Sequence, residues 1–223
     1  MSESGNEGRY ESVNETKGAA ELPLRERKKR ATRQRISNVA SALFRERGFD
    51  QVSVAEVARA AEVSTMTVFN YFPRKEDLFL DRIPEAVEMF SGAVRDRAPG
   101  ETPLAALRRL ALELLDRRHP LAGPDSGFPD FWEVVADSPA LRARGREALE
   151  EMENAMTTAL TETAPDTPDP ALTAALTVAA YRTVYVTTAR RVFAGEGAEG
   201  LVADHRARIC AAFDALERAL TPA

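Results

Sequence analysis

The sequence predicts an all-α protein in which an N-terminal three-helix head containing a helix-turn-helix precedes a larger C-terminal helical domain. Three observations predict it. Apolar residues recur at helical spacing along most of the chain, and no useful length alternates apolar and polar residues as a half-buried strand does. Helix starts are marked repeatedly by a capping residue followed by proline, or by a capping box. Positive charge gathers in one stretch: residues 1–24, 25–77 and 78–223 carry net charges of −3, +5 and −7 within a total of −5.

Residues 1–24 offer almost nothing to bury and read as a disordered tail. The run RERKKRATRQR, Arg25 to Arg35, holds seven basic residues and one acidic, and leads into a helix whose apolar stripe is Ile36, Val39, Ala40, Leu43 and Phe44. Gly48 ends that helix, because glycine accepts the left-handed conformation at a helix end. Ser53 and Glu56 form an S-x-x-E capping box over a second helix with Val54, Val57, Ala58 and Ala61 on one face. Only Glu62 and Val63 separate it from the next cap, Ser64, and the third helix buries Val68 and Phe72 before Pro73 stops it. A fourth helix is expected near 75–97, kinked or split at Pro84. Further helices are expected near 103–118, 129–137, 139–163, 170–194 and 200–220. The pairs Thr102-Pro103, Ser138-Pro139 and Asp169-Pro170 mark starts at which proline's missing N–H does no harm.

Composition narrows the function classes. A hydrophobic content of 44% with 29% charged residues suits a soluble globular chain. The single cysteine, Cys210, forms neither an internal disulfide nor a metal cluster, so a reducing cytoplasm is the expected home. Residues 1–24 lack the apolar core of a signal peptide. Residues 171–189 are nearly uncharged, but Arg182 near their middle would cost about 3 kcal/mol in a bilayer. They read as a buried helix, and no membrane partner is expected. A net charge of −5 excludes a chain that simply coats nucleic acid and directs attention to the one basic region.

Residues 52–75 set two short capped helices around a tight turn, a geometry in which the second helix can enter the major groove of DNA. An ordinary helical hairpin is the plainer alternative. A core helix, however, would bury more than Val68 and Phe72, whereas Thr65, Thr67, Asn70 and Tyr71 stay polar and outward, as residues that donate to phosphates or base edges do. The stretch VSVAEVARAAEVSTMTVFNYFPRKEDLF resembles the TetR-family signature, with Val63, Ser64, Thr67, Phe69, Tyr71, Phe72, Lys75 and Leu78 at the matching places. Upstream, ALFRERGFDQVSV (Ala42 to Val54) resembles that family's first helix and glycine turn, so the resemblance covers residues 33–80.

The resemblance implies phosphate contacts from Thr67, Tyr71 and Lys75, and groove-facing positions at Thr65, Met66, Phe69 and Asn70. Physical chemistry agrees for most: Asn70 suits a bidentate pair with adenine, and Met66 a thymine methyl. Lys75, near a helix N-terminus, is a point charge suited to phosphate. Ser53 is read mainly as a cap whose exposed helix N-terminus also suits phosphate. Arg27, Lys28, Lys29 and Arg30 are read as a basic arm following the minor groove or backbone. Two residues depart from the family pattern. Glu62 stands where glycine is commonest, at a cost of ~1 kcal/mol if its φ is positive, and Phe69 lacks the hydroxyl of the commoner tyrosine.

The resemblance further implies that residues 78–223 bind a small molecule and form a homodimer through residues 170–220, two helices per chain making a four-helix bundle. The last helix would present Ile209, Ala212, Phe213, Leu216 and Leu220. A two-fold protein then matches double-stranded DNA bearing a palindromic operator. Candidate ligand residues are Phe90, Leu114, Phe128, Phe131, Trp132, Met152, Met156, Tyr181, Arg182 and Tyr185. Core packing accounts for most of them; Trp132, Tyr181 and Tyr185 stand out because each buried polar tip needs a partner. Arg182 suits an anionic ligand, or equally a carboxylate across the dimer. The effector expected is medium-sized and mostly apolar. It would release a repressor from its operator by shifting the spacing of the two heads, through a fourth helix hinged near Pro84.

Nothing calls for an enzyme, a cofactor or a metal. GEGAEG at 195–200 matches a dinucleotide fingerprint by letter, but it follows a helix and carries Glu196 and Glu199, which repel a pyrophosphate. His119 and His205 lack metal-ligand spacing and read as helix-end or surface residues. Cys210, among alanines and Phe213, reads as a buried inert thiol. The carboxylates of EALEEMEN (Glu147 to Asn154) read as a solvated helix face. Two competing readings stand beside the regulator: a helical ligand carrier or enzyme whose helix-turn-helix is vestigial, and a constitutive architectural DNA binder, which the acidic C-terminal region disfavours.

Overall fold

Pro23, with no helix breaker after it until Gly48, starts a single 24-residue helix, α1, over Leu24–Arg47. The computed structural model describes residues 23–124 and 127–220. Residues 1–22 of the expected disordered tail lie outside the described residues, and its last residue, Leu24, is already helical. The basic run at 25–35 is likewise helix rather than an extended arm. Ile36, Ala40 and Phe44 are the buried side of α1. Gly48 ends it at φ +83°, its N–H reaching the Phe44 carbonyl at 2.9 Å.

Helix α2 spans Val54–Ala60 and α3 spans Thr65–Tyr71. Ser53 and Glu56 close a reciprocal capping box, and Ser64 caps α3 through the Thr67 N–H. The turn between them places Glu62 at φ +53°, the strained conformation anticipated for a residue standing where glycine is usual. Ile36, Phe44, Val57, Val68, Phe72 and Leu78 fuse the three helices into one core.

The expected fourth helix over 75–97 is not one helix. A single 3₁₀ turn covers Glu76–Leu78, and α4 runs over Ile83–Arg95 with Pro84 in its first turn. Proline there removes no helical hydrogen bond, so Pro84 opens the helix rather than bending it. The connecting segment is tied to α1: Arg33 donates to the Asp81 carbonyl at 2.7 Å and the Ser37 hydroxyl to the Asp81 carboxylate at 2.7 Å.

The larger domain comprises α4, α5 (Pro103–Asp116), α6 (Phe128–Asp137), α7 (Pro139–Thr163), α8 (Pro170–Phe193) and α9 (Val202–Leu220). Thr102, Ser138 and Asp169 cap α5, α7 and α8 as their cap–proline pairs predict. GEGAEG becomes a turn and a short 3₁₀ segment, Ala198–Leu201, leading into α9. Helix α7 packs against α4 and α8, and α9 against α5 and α8. Phe90, Leu107, Met156, Leu160, Ile209 and Phe213 anchor this second core. Ile209, Phe213 and Leu216 thus belong to the chain's own interior, contrary to their expected role on an interface. The outward face of α9 is instead Ala203, Ala207, Ala211, Ala215 and Ala219.

Helix α6 is shared between the two cores. Val134, Val135 and Leu141 (the last from α7) are buried with the head, and Phe131 and Trp132 pack against them. No helix among the described residues is long and apolar enough to cross a membrane, and no cluster of three or more metal-ligating side chains occurs among them.

Candidate nucleic-acid interface and the aromatic cluster behind it

Seven residues make α3, and only Val68 among them is buried. Thr65, Met66, Phe69 and Asn70 are exposed, Met66 by 69% and Phe69 by 44%. Apolar side chains this exposed, beside an amide and a hydroxyl on one short helix, form a surface made to be covered. Thr67 is half-buried, its hydroxyl 2.8 Å from that of Ser64, and Tyr71 is half-buried against the head core. Ser53 is exposed but engaged in its capping box, its hydroxyl 2.8 Å from the Glu56 carboxylate. The backbone and side chain of Ser53, with Arg47, pull the Glu56 acid down to about 2, so the box holds through the neutral range. Arg27, Lys28, Lys29 and Arg30 are exposed along the first turns of α1.

Lys75 departs from expectation. Its ammonium donates to the Phe49 carbonyl at 2.6 Å and lies 4.2 Å from the centre of the Phe49 ring. Burial lowers its pKa. In this structure Lys75 braces the loop after α1 instead of extending toward a phosphate. The pull of a carbonyl and an aromatic face 26 residues upstream is the reason.

A polar junction that sequence reasoning missed joins the head to α7. Arg144, 7% exposed, donates to Asp77 at 2.8 Å and to Glu151 at 2.8 and 3.3 Å. Arg74 of the head pairs with Glu147, and the Ser138 hydroxyl donates to Asp50 at 3.2 Å. Carboxylates of EALEEMEN expected to face solvent are therefore fastening points: Glu147 and Glu151 both hold arginines. The signal was an arginine at helical spacing from acids (Arg144, Glu147, Glu151), but its partner Asp77 lies far away in sequence.

The candidate ligand residues divide three ways. Phe90, Tyr181, Tyr185, Trp132, Phe128 and Phe131 form a continuous chain of rings, with successive centroids 5.2–6.3 Å apart. Leu114, Met152 and Met156 belong to the main core beside them. Arg182 is exposed and joins neither group, so it lines no interior site within one chain. The ring chain runs on into the head, because Phe131 stacks on Phe79 at 5.3 Å and 9°, and Phe79 meets Phe44. Within it the Trp132 indole nitrogen and the Tyr181 hydroxyl are buried and have no hydrogen-bond partner among the described residues.

Two further expectations are corrected. His205 is fully buried rather than at the surface; its Nδ1 lies 2.8 Å from the Thr188 hydroxyl, and burial pulls its pKa down to about 4. The turn at Gly123 presses on its other edge, where an added Cβ would lie 2.7 Å from Nε2. Cys210 is half-buried, with Arg108 beside it, rather than sealed in the core.

Residues 36–81 match the model of the bacterial regulatory proteins, tetR family. TcmR of Streptomyces glaucescens, an HTH-type transcriptional regulator, is 34% identical over 133 residues, which is 58% of this chain and 59% of TcmR; the chain thus matches well under two thirds of that relative's length. A structure from Mesorhizobium loti assigned to the TetR family of transcriptional regulators superposes with a TM-score of 0.56 at 20% identity, covering 85% of this chain and 96% of that one. Thermus thermophilus FadR, a TetR-family repressor solved with lauroyl-CoA, superposes with a TM-score of 0.54 at 25% identity, covering 86% and 96%.

Proposed function

We propose that this chain, whose residues 36–81 match the tetR family of bacterial regulatory proteins, is a cytoplasmic repressor that binds a palindromic operator as a homodimer and leaves it when a small molecule occupies the larger domain. The observation that carries this reading is the face of α3. A capped helix, second in a helix-turn-helix, exposes Thr65, Met66, Phe69 and Asn70 together. In the proposed complex Asn70 reads an adenine edge, Met66 and Phe69 cover thymine methyls, and Thr67 and Tyr71 hold phosphates. Arg27, Lys28, Lys29 and Arg30 add backbone attraction from the start of α1. Lys75 supports the helix-turn-helix from behind.

Dimerisation through residues 170–220 is supported by two stripes. Leu172, Leu176 and Phe193 stay exposed along α8, and the alanines of α9 recur every fourth residue, small enough for a second helix to approach closely. Two such pairs make a four-helix bundle in which an exposed apolar face is covered. The FadR structure holds lauroyl-CoA, which supports a ligand-binding larger domain in this chain too. The regulator reading stands over a ligand carrier with a vestigial helix-turn-helix, because a vestigial motif has no reason to keep both caps and this outward face.

The test is binding to DNA from upstream of the protein's own gene, at fixed moderate salt, for wild type, Asn70→Ala and Tyr71→Phe. Asn70→Ala should lose affinity for the operator by roughly tenfold to a hundredfold while scrambled DNA is unaffected. Tyr71→Phe keeps the ring and should lose less. If genome-wide selection yields no sequence bound better than scrambled DNA, the regulator reading falls.

A further inference from the structure

We infer that the effector is a flat, uncharged aromatic molecule bearing at least one hydrogen-bond acceptor, held between α6 and α8 by the Trp132 indole N–H and the Tyr181 hydroxyl. The inference rests on the ligand-released regulator proposed above and narrows its ligand.

The donors point to the acceptor. An indole N–H can only donate, and a phenol donates readily. Both atoms are buried without a partner among the described residues, an arrangement uncommon enough in folded proteins to require a reason. Burial also pushes the ionisation of Tyr181 upward, so its hydroxyl keeps its proton at neutral pH. A carbonyl or ether oxygen accepts from either donor. A saturated chain would leave both unpaired.

The walls point to the ring. Phe90 meets Tyr181 at 5.2 Å, Tyr181 meets Tyr185 at 5.8 Å, and Phe128 and Trp132 close on Tyr185 at 5.6 and 6.3 Å. Such a set of faces and edges prefers another ring to an alkyl chain. Among the described residues the ring cluster includes no charged side chain: His205, which meets Tyr185 at 5.8 Å, is held neutral by burial, and Arg182 is exposed outside it. A charged ligand would lose its hydration there with no counter-charge among the described residues.

Because the rings lie against one another, a ligand must part α6 from α8. Phe131, adjacent to Trp132 on α6, stacks on Phe79 in the head core, so the same displacement is delivered to the head.

The test is calorimetric titration of the full chain with 9-fluorenone and with flavone, each flat and uncharged with one carbonyl, against fluorene and dodecanoate. Trp132, the only tryptophan, reports occupancy by its fluorescence. A carbonyl compound should bind saturably, one per chain, about tenfold tighter than fluorene, and Tyr181→Phe or Trp132→Phe should weaken it by about the same factor without affecting fluorene. Three results overturn the inference: neither carbonyl compound binds saturably, dodecanoate binds tighter than both, or both variants bind the carbonyl compounds like wild type. Operator binding by the same preparation, without probe, keeps the two proposals apart. Intact operator binding with no probe binding removes the ligand class alone, and lost operator binding removes the regulator.

Discussion

In the head, the caps of α2 and α3 meet partners three residues away, Ser53 with Glu56 and Ser64 with Thr67; in the larger domain, Trp132 and Tyr181 bury donors that meet none among the described residues. On the proposed function, the difference separates two tasks. A DNA reader must present one fixed surface, so its hydrogen bonds close locally and its helices need little help from elsewhere. A sensor must change on binding, and groups left unsatisfied in its interior give a ligand something to gain that the protein alone does not supply. Between the two lies a junction that belongs to neither: Arg144 against Asp77 and Glu151, and Phe131 against Phe79.

That junction offers the largest expected effect. Arg144→Ala leaves Asp77 and Glu151 without their shared cation. Because Glu151 is half exposed, the loss should sit near the low end for a broken buried pair, about 3 kcal/mol. Arg74→Ala breaks the exposed pair with Glu147, which solvent screens, and should cost far less. Urea denaturation at pH 7 measures both. Equal losses would mean that head and sensor are not fastened at Arg144, and the contrast between closed head and open sensor would lose its connecting point.

The buried ring of His205 gives the next effect, and it belongs to the sensor alone. Its folded pKa is depressed from 6.5 to about 4, so the folded state resists a proton that the unfolded chain accepts. Stability from this group is complete above pH 6.5 and is lost as pH falls from 6.5 toward 4. Between pH 7 and pH 5 the loss should be ~2 kcal/mol. His205→Gln should flatten that part of the profile; an unchanged slope would mean that another group carries the dependence.

Glu62 tests the reader's one local flaw. Glu62→Gly relieves a positive φ and removes a carboxylate from the turn before α3. Stability should rise by about 0.5–1 kcal/mol, and operator affinity should rise with it. A gain in stability with no gain in affinity would place the Glu62 charge too far from DNA to matter.

The head could be read almost whole from sequence because its determinants are near neighbours: a stripe at Ile36, Ala40 and Phe44, a glycine stop, two caps and a four-residue turn. What could not be read depends on partners brought together by packing. Lys75 reads as a free cation until Phe49 folds over it, and Glu147 reads as a solvated acid until Arg74, 73 residues earlier, arrives beside it. Pro84 is ambiguous by chemistry, since proline either breaks a helix or begins one, and only the tether of Asp81 to α1 decides in favour of a beginning. Composition brought Trp132, Tyr181 and Tyr185 to notice as polar-tipped rings. It could not separate them from Arg182, which shares a helix with both tyrosines but turns to the outside.

The smallest effect returns to the sensor's open donors and is sharp because it runs against habit. Removing a buried side-chain group usually destabilises, by loss of a hydrogen bond or of packing. Tyr181→Phe removes a hydroxyl with no partner among the described residues and keeps the ring against Phe90. The ligand-free protein should therefore melt at the same temperature as wild type or slightly higher, a gain of up to ~1 kcal/mol. Removing the Thr67 hydroxyl by Thr67→Val, with its partner Ser64 in the head, should instead lower stability by up to ~1 kcal/mol. Opposite signs at two hydroxyls, one paired and one not, are what the contrast between reader and sensor requires. If Tyr181→Phe is instead the more damaging of the two, the phenol has a partner in solution and the sensor is as closed as the head.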